Sequence, residues 1–88
     1  MNNLEDVFIE NDKINAPFLL ASSYNGLVKF TGSHIQNGIL YWYFTPKEKA
    51  KLLIDQLRTK TEPRIPAQDI FSAIETFWQQ VAEMRGKG

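Results

Sequence analysis

Residues 33–57, SHIQNGILYWYFTPKEKAKLLIDQL, decide the fold of this chain. Asn37-Gly38 suits a two-residue type I′ turn, which needs positive φ at both central positions, and Asn and Gly tolerate that region best. Residues 39–44 are β-branched and aromatic and read as a strand. Thr45-Pro46-Lys47-Glu48 then carries a helix start signal: Thr45 as N-cap, Pro46 at the first helical position, Glu48 closing a capping box. That helix is expected over about residues 46–60, with Ala50, Leu53, Ile54 and Leu57 as its buried stripe and Leu52 on the opposite side.

Working back from the turn, residues 27–36 form the first hairpin strand. A two-residue turn pairs Gln36 with Ile39, Ile35 with Leu40, His34 with Tyr41 and Ser33 with Trp42. One face then carries Ile35, Leu40, Trp42 and Phe44, the expected core face. The other carries Gly32, His34, Tyr41 and Tyr43. Strict alternation would put Val28 and Phe30 on that second face and send Lys29 and Thr31 inward. A β-bulge at Thr31-Gly32-Ser33 repairs the phase and returns Val28 and Phe30 to the core, and glycine favours a bulge there.

The flanks complete a helix–β-hairpin–helix–helix order. Residues 1–6 are polar and expected to fray. Val7-Phe8-Ile9 is either an edge strand or a plug on the following helix. Asn11 or Asp12 is the expected N-cap of a first helix over about residues 13–23, whose start falls as late as Asn15 to keep Pro17 in the first turn. Ile14, Phe18 and Ala21 follow helical spacing along it, and Gly26 suits its left-handed C′ position. Past the second helix, Thr61-Glu62-Pro63-Arg64-Ile65 reads as an extended connection. Pro66 fits the first position of a third helix reaching about Arg85, where Gly86 stops it and residues 86–88 fray. Ile70, Ile74, Phe77, Val81 and Met84 make its centre line, with Phe71, Trp78 and Ala82 in a row along one edge.

Composition bounds the rest. At 88 residues with 43% hydrophobic content the chain is a single α+β domain near the small end for a self-sufficient core, and 12% aromatics help, because each ring buries much area. Cysteine is absent, which excludes disulfides, thiolate zinc sites and thiol nucleophiles. Apolar runs are far shorter than a membrane span, and the acidic start does not resemble an export signal, so a soluble cytoplasmic protein without membrane contact is expected. Formal net charge is zero, which argues against strong non-specific nucleic-acid binding. The charges are unevenly spread: Glu5, Asp6, Glu10 and Asp12 open the chain, whereas Lys47, Lys49, Lys51, Arg58, Lys60 and Arg64 dominate its middle.

Each chemical candidate stands beside an ordinary structural reading. His34, the one histidine, lacks companions for a metal site or a carboxylate for acid–base work, and reads as a half-exposed cross-strand partner of Tyr41. No carboxylate pair or phosphate-cradling glycine loop is present, so no catalytic residue, metal or cofactor is expected. His34, Tyr41, Tyr43 and Lys29 form a candidate face for stacking single-stranded bases or meeting a partner; the ordinary reading is that another helix or a second copy covers it. Lys47, Lys51 and Arg58 are a candidate phosphate track and, in the ordinary reading, a solvated helix flank. Phe71, Trp78 and Ala82 widen the third helix's apolar arc beyond what a small core can absorb, and are the candidates for self-association.

Three stretches also resemble a family of small bacterial and phage domains of unknown function: residues 16–21 (APFLLA) ahead of Gly26, residues 41–44 (YWYF) followed by the Pro46 helix, and Ile65-Pro66 followed by Phe71, Ala73 and Ile74. The likeness spans about residues 12–81; where that family carries a lysine late in its last helix, this chain has Trp78 and Gln79. The resemblance implies the same fold order, no catalytic residues, and a mobile-element or accessory-gene setting. The expected function is a non-catalytic module that binds a protein or itself. A weak single-stranded nucleic-acid binder is the alternative, and a small regulatory or enzymatic role the third reading.

Overall fold

The structure, a computed structural model, describes residues 6–59 and 64–87. Its elements are β1 (Phe8–Glu10), α1 (Asn15–Tyr24), β2 (Lys29–Gln36), β3 (Ile39–Thr45), α2 (Lys47–Thr59) and α3 (Ala67–Lys87). They make the expected α+β domain, with the hairpin packed on the helices. The sheet is antiparallel in the order β1-β3-β2, so β3 is central. Val7-Phe8-Ile9 resolves as the edge-strand alternative, with Phe8 opposite Phe44 and Ile9 opposite Tyr43. The expected fraying at residues 1–5 and 88, the expected end of the second helix at Lys60, and residues 61–63 of the extended connection lie outside the described residues. Asp6 is not frayed: its carboxylate accepts the Lys47 backbone N–H at 3.2 Å.

The hairpin follows from its turn and its bulge. Asn37 and Gly38 have φ of 55° and 78°, and the pairing runs from Gln36–Ile39 through Ser33–Trp42 in the expected register. The ladder then slips between Phe30 and Gly32. Gly32 lies opposite Tyr43 and Phe30 opposite Phe44, which leaves Thr31 as the extra residue. Gly32 has φ 152°, where an L side chain is disfavoured. Val28 is buried as expected. Phe30 also turns to the core side, its ring 5.6 Å from Trp42 and 5.7 Å from Phe44. It nevertheless stays 36% exposed, because β2 is an edge strand.

The most enclosed helix is α1, where every residue from Ala16 to Ser22 is buried. A helix apolar all round belongs inside. Its start takes the late limit: Asp12 Oδ2 accepts the N–H groups of Ile14 at 2.8 Å and Asn15 at 2.9 Å. Ile14 is therefore at the N-cap and exposed, not part of the buried spacing. Gly26 takes the C′ position with φ 73°. Gly26 N–H donates to Ser23 O and Leu27 N–H to Ser22 O, each at 3.1 Å, the paired bonds of a Schellman motif.

Both prolines sit one position earlier than the N1 rule predicts. Pro46 O accepts the first helical bond of α2 from Ala50 N–H at 3.0 Å, and Pro66 O accepts from Ile70 N–H at 3.2 Å, so each is an N-cap. Thr45 is consequently the last residue of β3 rather than a cap, the Thr45-Pro46 peptide is cis, and the expected capping box gives way to Asp6. The second helix buries Ala50, Leu53 and Ile54 as expected, with Leu57 partly covered. On α3 the buried line is Ala73, Phe77 and Val81, flanked by Ile70 and Met84. Ile74 is displaced to the rim at 39% exposure, since fully buried Ala73 takes the centre where α1 and α3 form the most extensive helix–helix contact. The helix continues through Gly86 to Lys87, so Gly86 is not its stop. The core lies between all three helices and the Leu40–Trp42–Phe44 face of β3, and Phe77 stacks on Trp42 at 5.7 Å.

Candidate interaction surfaces

The outer sheet face gathers the four residues expected there. His34 is opposite Tyr41, and Lys29 is opposite Thr45, which shares the Tyr41 and Tyr43 face by the two-residue period of a strand. Ile9 joins them from β1 as an exposed neighbour of Tyr43. Among the described residues the three helices pack against the other face, that of Leu40, Trp42 and Phe44. Tyr41 and Tyr43 remain half-buried by their neighbours on the sheet, while His34 and Lys29 are exposed. The face offers two phenol rings, an imidazole and an ammonium group without a carboxylate among these positions.

Lys47, Lys51 and Arg58 do lie on one flank of α2, since residues four and seven apart share a helix face. Lys51 and Arg58 border an open hollow of about 240 Å³ with Phe8, Ile54 and Asp55. Asp55 between them tempers the positive charge. Lys47 is half-buried, its N–H held by Asp6. Lys51 and Arg58 are exposed, and β1 packs against this helix.

The third surface is the outer edge of α3. Phe71 is 70% exposed and Trp78 45% exposed, and Ala82 is exposed beyond them. The Trp78 and Phe77 rings make a T-shaped contact at 5.2 Å, so half-exposed Trp78 sits on the core without entering it. Ile74 extends the row toward an apolar cleft of about 190 Å³, lined also by Ile14, Pro17, Phe18, Leu57 and Ile70 with Lys13 at its rim. Ile14 and this cleft were not readable from periodicity, because the cleft arises where α1, α2 and α3 converge.

Two polar features lie apart from these surfaces. Asp12 carries a carboxyl held below its usual range, first by the Asn15 N–H and then by the Ile14 N–H. Trp42 Nε1 is buried and has no hydrogen-bond partner, a donor whose desolvation the packing around the ring must offset. Among the described residues, no group of three His, Cys, Asp or Glu side chains is placed to hold a metal, and no helix is long and apolar enough to cross a membrane. Comparisons with protein-family models, curated proteins and solved structures found no match to this chain.

Proposed function

We propose that this protein is a non-catalytic protein-interaction module that presents the outer edge of α3 to its partner. The observation that carries this reading is Phe71, 70% exposed in the middle of regular structure and aligned with Trp78. Large rings in a row are costly to leave in water, and such patches mark contact surfaces. Tryptophan and phenylalanine also supply much contact area at little conformational cost. The partner is another protein or a second copy, whose own Phe71, Trp78 and Ala82 would meet these across a two-fold axis. A cytoplasmic location and a mobile-element setting belong to the same reading.

A second reading is favoured by the open outer sheet face. Tyr41, Tyr43, His34 and Lys29 together provide stacking surfaces and a positive charge for single-stranded nucleic acid. Zero formal net charge weighs against it. Capture from the native host on immobilised protein, read by mass spectrometry and by nucleic-acid sequencing, separates the two. The expected result is a specific protein, with oligonucleotide binding no tighter than high micromolar at physiological salt. Salt-sensitive submicromolar oligonucleotide binding that disappears in Tyr41→Ala would put the nucleic-acid reading first.

A further inference from the structure

β1 and β2 are the two edges of the sheet, and β2 is the longer of them. In a hairpin closed by a two-residue turn, Gln36 and Ile39 exchange both backbone hydrogen bonds, and the pattern alternates from there. His34 and Gly32 therefore bond to Tyr41 and Tyr43, their opposite residues. The N–H and C=O groups of Ser33 and Ile35 point the other way, off the sheet. Among the described residues no other element pairs with the outer side of β2.

Edges of this kind are normally blunted by charge, proline or a bulge. Here the bulge at Thr31 interrupts only the first part of the strand. The regular remainder, Gly32, Ser33, His34, Ile35 and Gln36, contains no charged carboxylate, lysine, arginine or proline. Its inner face is also incomplete. Ile35, opposite buried Leu40, is 49% exposed, and Phe30 is left open on the same side. One more strand beyond β2 would lie beside Ile35, and Phe30, across the bulge, stays outside the regular window.

We infer that β2 pairs edge to edge with β2 of a second copy, antiparallel, about a two-fold axis through His34. This register uses the whole regular window and matches its hydrogen-bonding parity. Ser33 exchanges two bonds with Ile35 of the second copy, and symmetry supplies two more. Side chains are complementary in size: Ile35 faces Ser33, and Gln36 faces Gly32, across the axis. A formal net charge of zero leaves no long-range repulsion between copies, and Lys29, the one lysine or arginine on β2, falls outside the paired window. This contact uses residues 32–36 of β2 and none of the α3 row Phe71, Trp78 and Ala82.

The test combines molar mass by light scattering with residue-resolved amide exchange across a concentration series. The expected mass doubles from dilute to concentrated protein. Exchange at Ser33 and Ile35 slows by at least about tenfold over the same range, while other exposed amides are unchanged. Trp78→Glu leaves this behaviour intact. Ser33→Pro removes an outward N–H that the β2–β3 ladder does not use and abolishes the doubling. If that variant does not fold, Ile35→Lys, which places a charge on the open edge, serves instead. A wild type that stays monomeric at every concentration overturns the inference. So does a dimer whose Ser33 and Ile35 amides exchange as fast as in dilute solution, and if that dimer is lost in Trp78→Glu the contact is the α3 surface.

Discussion

Trp42 and Trp78 both contact the Phe77 ring and do different work. Trp42 is 2% exposed and stacks on Phe77 at 5.7 Å, whereas Trp78 is 45% exposed and makes a T-shaped contact with Phe77 at 5.2 Å. Phe77 is thus where the core ends. On β3 the alternation of a strand leaves a large inward residue no intermediate position, so Trp42 is enclosed by Phe30, Phe77 and its strand neighbours. On α3 a residue one hundred degrees round from the core line remains in contact with it while facing solvent. Burial of an aromatic ring therefore depends on its element's period and position, and the ring left outside is the one available to another molecule.

The comparison breaks most clearly through stability. Trp42→Ala should cost about 3–5 kcal/mol in denaturant unfolding, from lost transfer and a residual cavity. A loss below about 1 kcal/mol would mean the hairpin faces are reversed. Capping comes next in size. Asp12→Ala removes an acceptor for two N–H groups and should cost about 1 kcal/mol. Because the folded carboxyl titrates below its usual range, that contribution is fully present above about pH 4 and is lost as pH falls through the lowered value; the wild-type and Asp12→Ala curves should converge in acid. Asp6→Ala, which removes one longer and exposed bond to α2, should cost about 0.5 kcal/mol. Trp78→Ala should cost far less than Trp42→Ala, about 0.5 kcal/mol, the low end of the worth of a contact between rings. Acrylamide quenching sharpens the contrast: in Trp42→Phe the remaining indole should be readily quenched, and in Trp78→Phe it should be protected.

Much of the fold was legible where the decisive chemistry is local. The Asn37-Gly38 turn, the glycine bulge and the Gly26 cap are each determined by backbone conformations that few residues accept. The misplaced features share a non-local cause. Pro46 was read as a first helical residue from four neighbours, yet α2 is capped by Asp6 from the far end of the chain. Ile74 and Ala73 are equally compatible with a helical stripe, and only the close packing of α1 decides which one is buried. Likewise, sequence order shows that Tyr41 and Tyr43 share a face but not that every helix goes to the other side. The α3 row was visible in advance because its arc exceeds what a core of this volume can accept.

The central claim, that the edge of α3 is kept outside the core in order to meet a protein, rests on separating fold from contact at one residue. Trp78→Glu measured beside wild type, by denaturant unfolding and by capture from the native host, tests it directly. The account predicts a variant that unfolds within about 1 kcal/mol of wild type but no longer retains the protein that wild type captures. A variant that fails to fold would place Trp78 in the core, and a folded variant that captures the same protein as wild type would remove α3 from the contact.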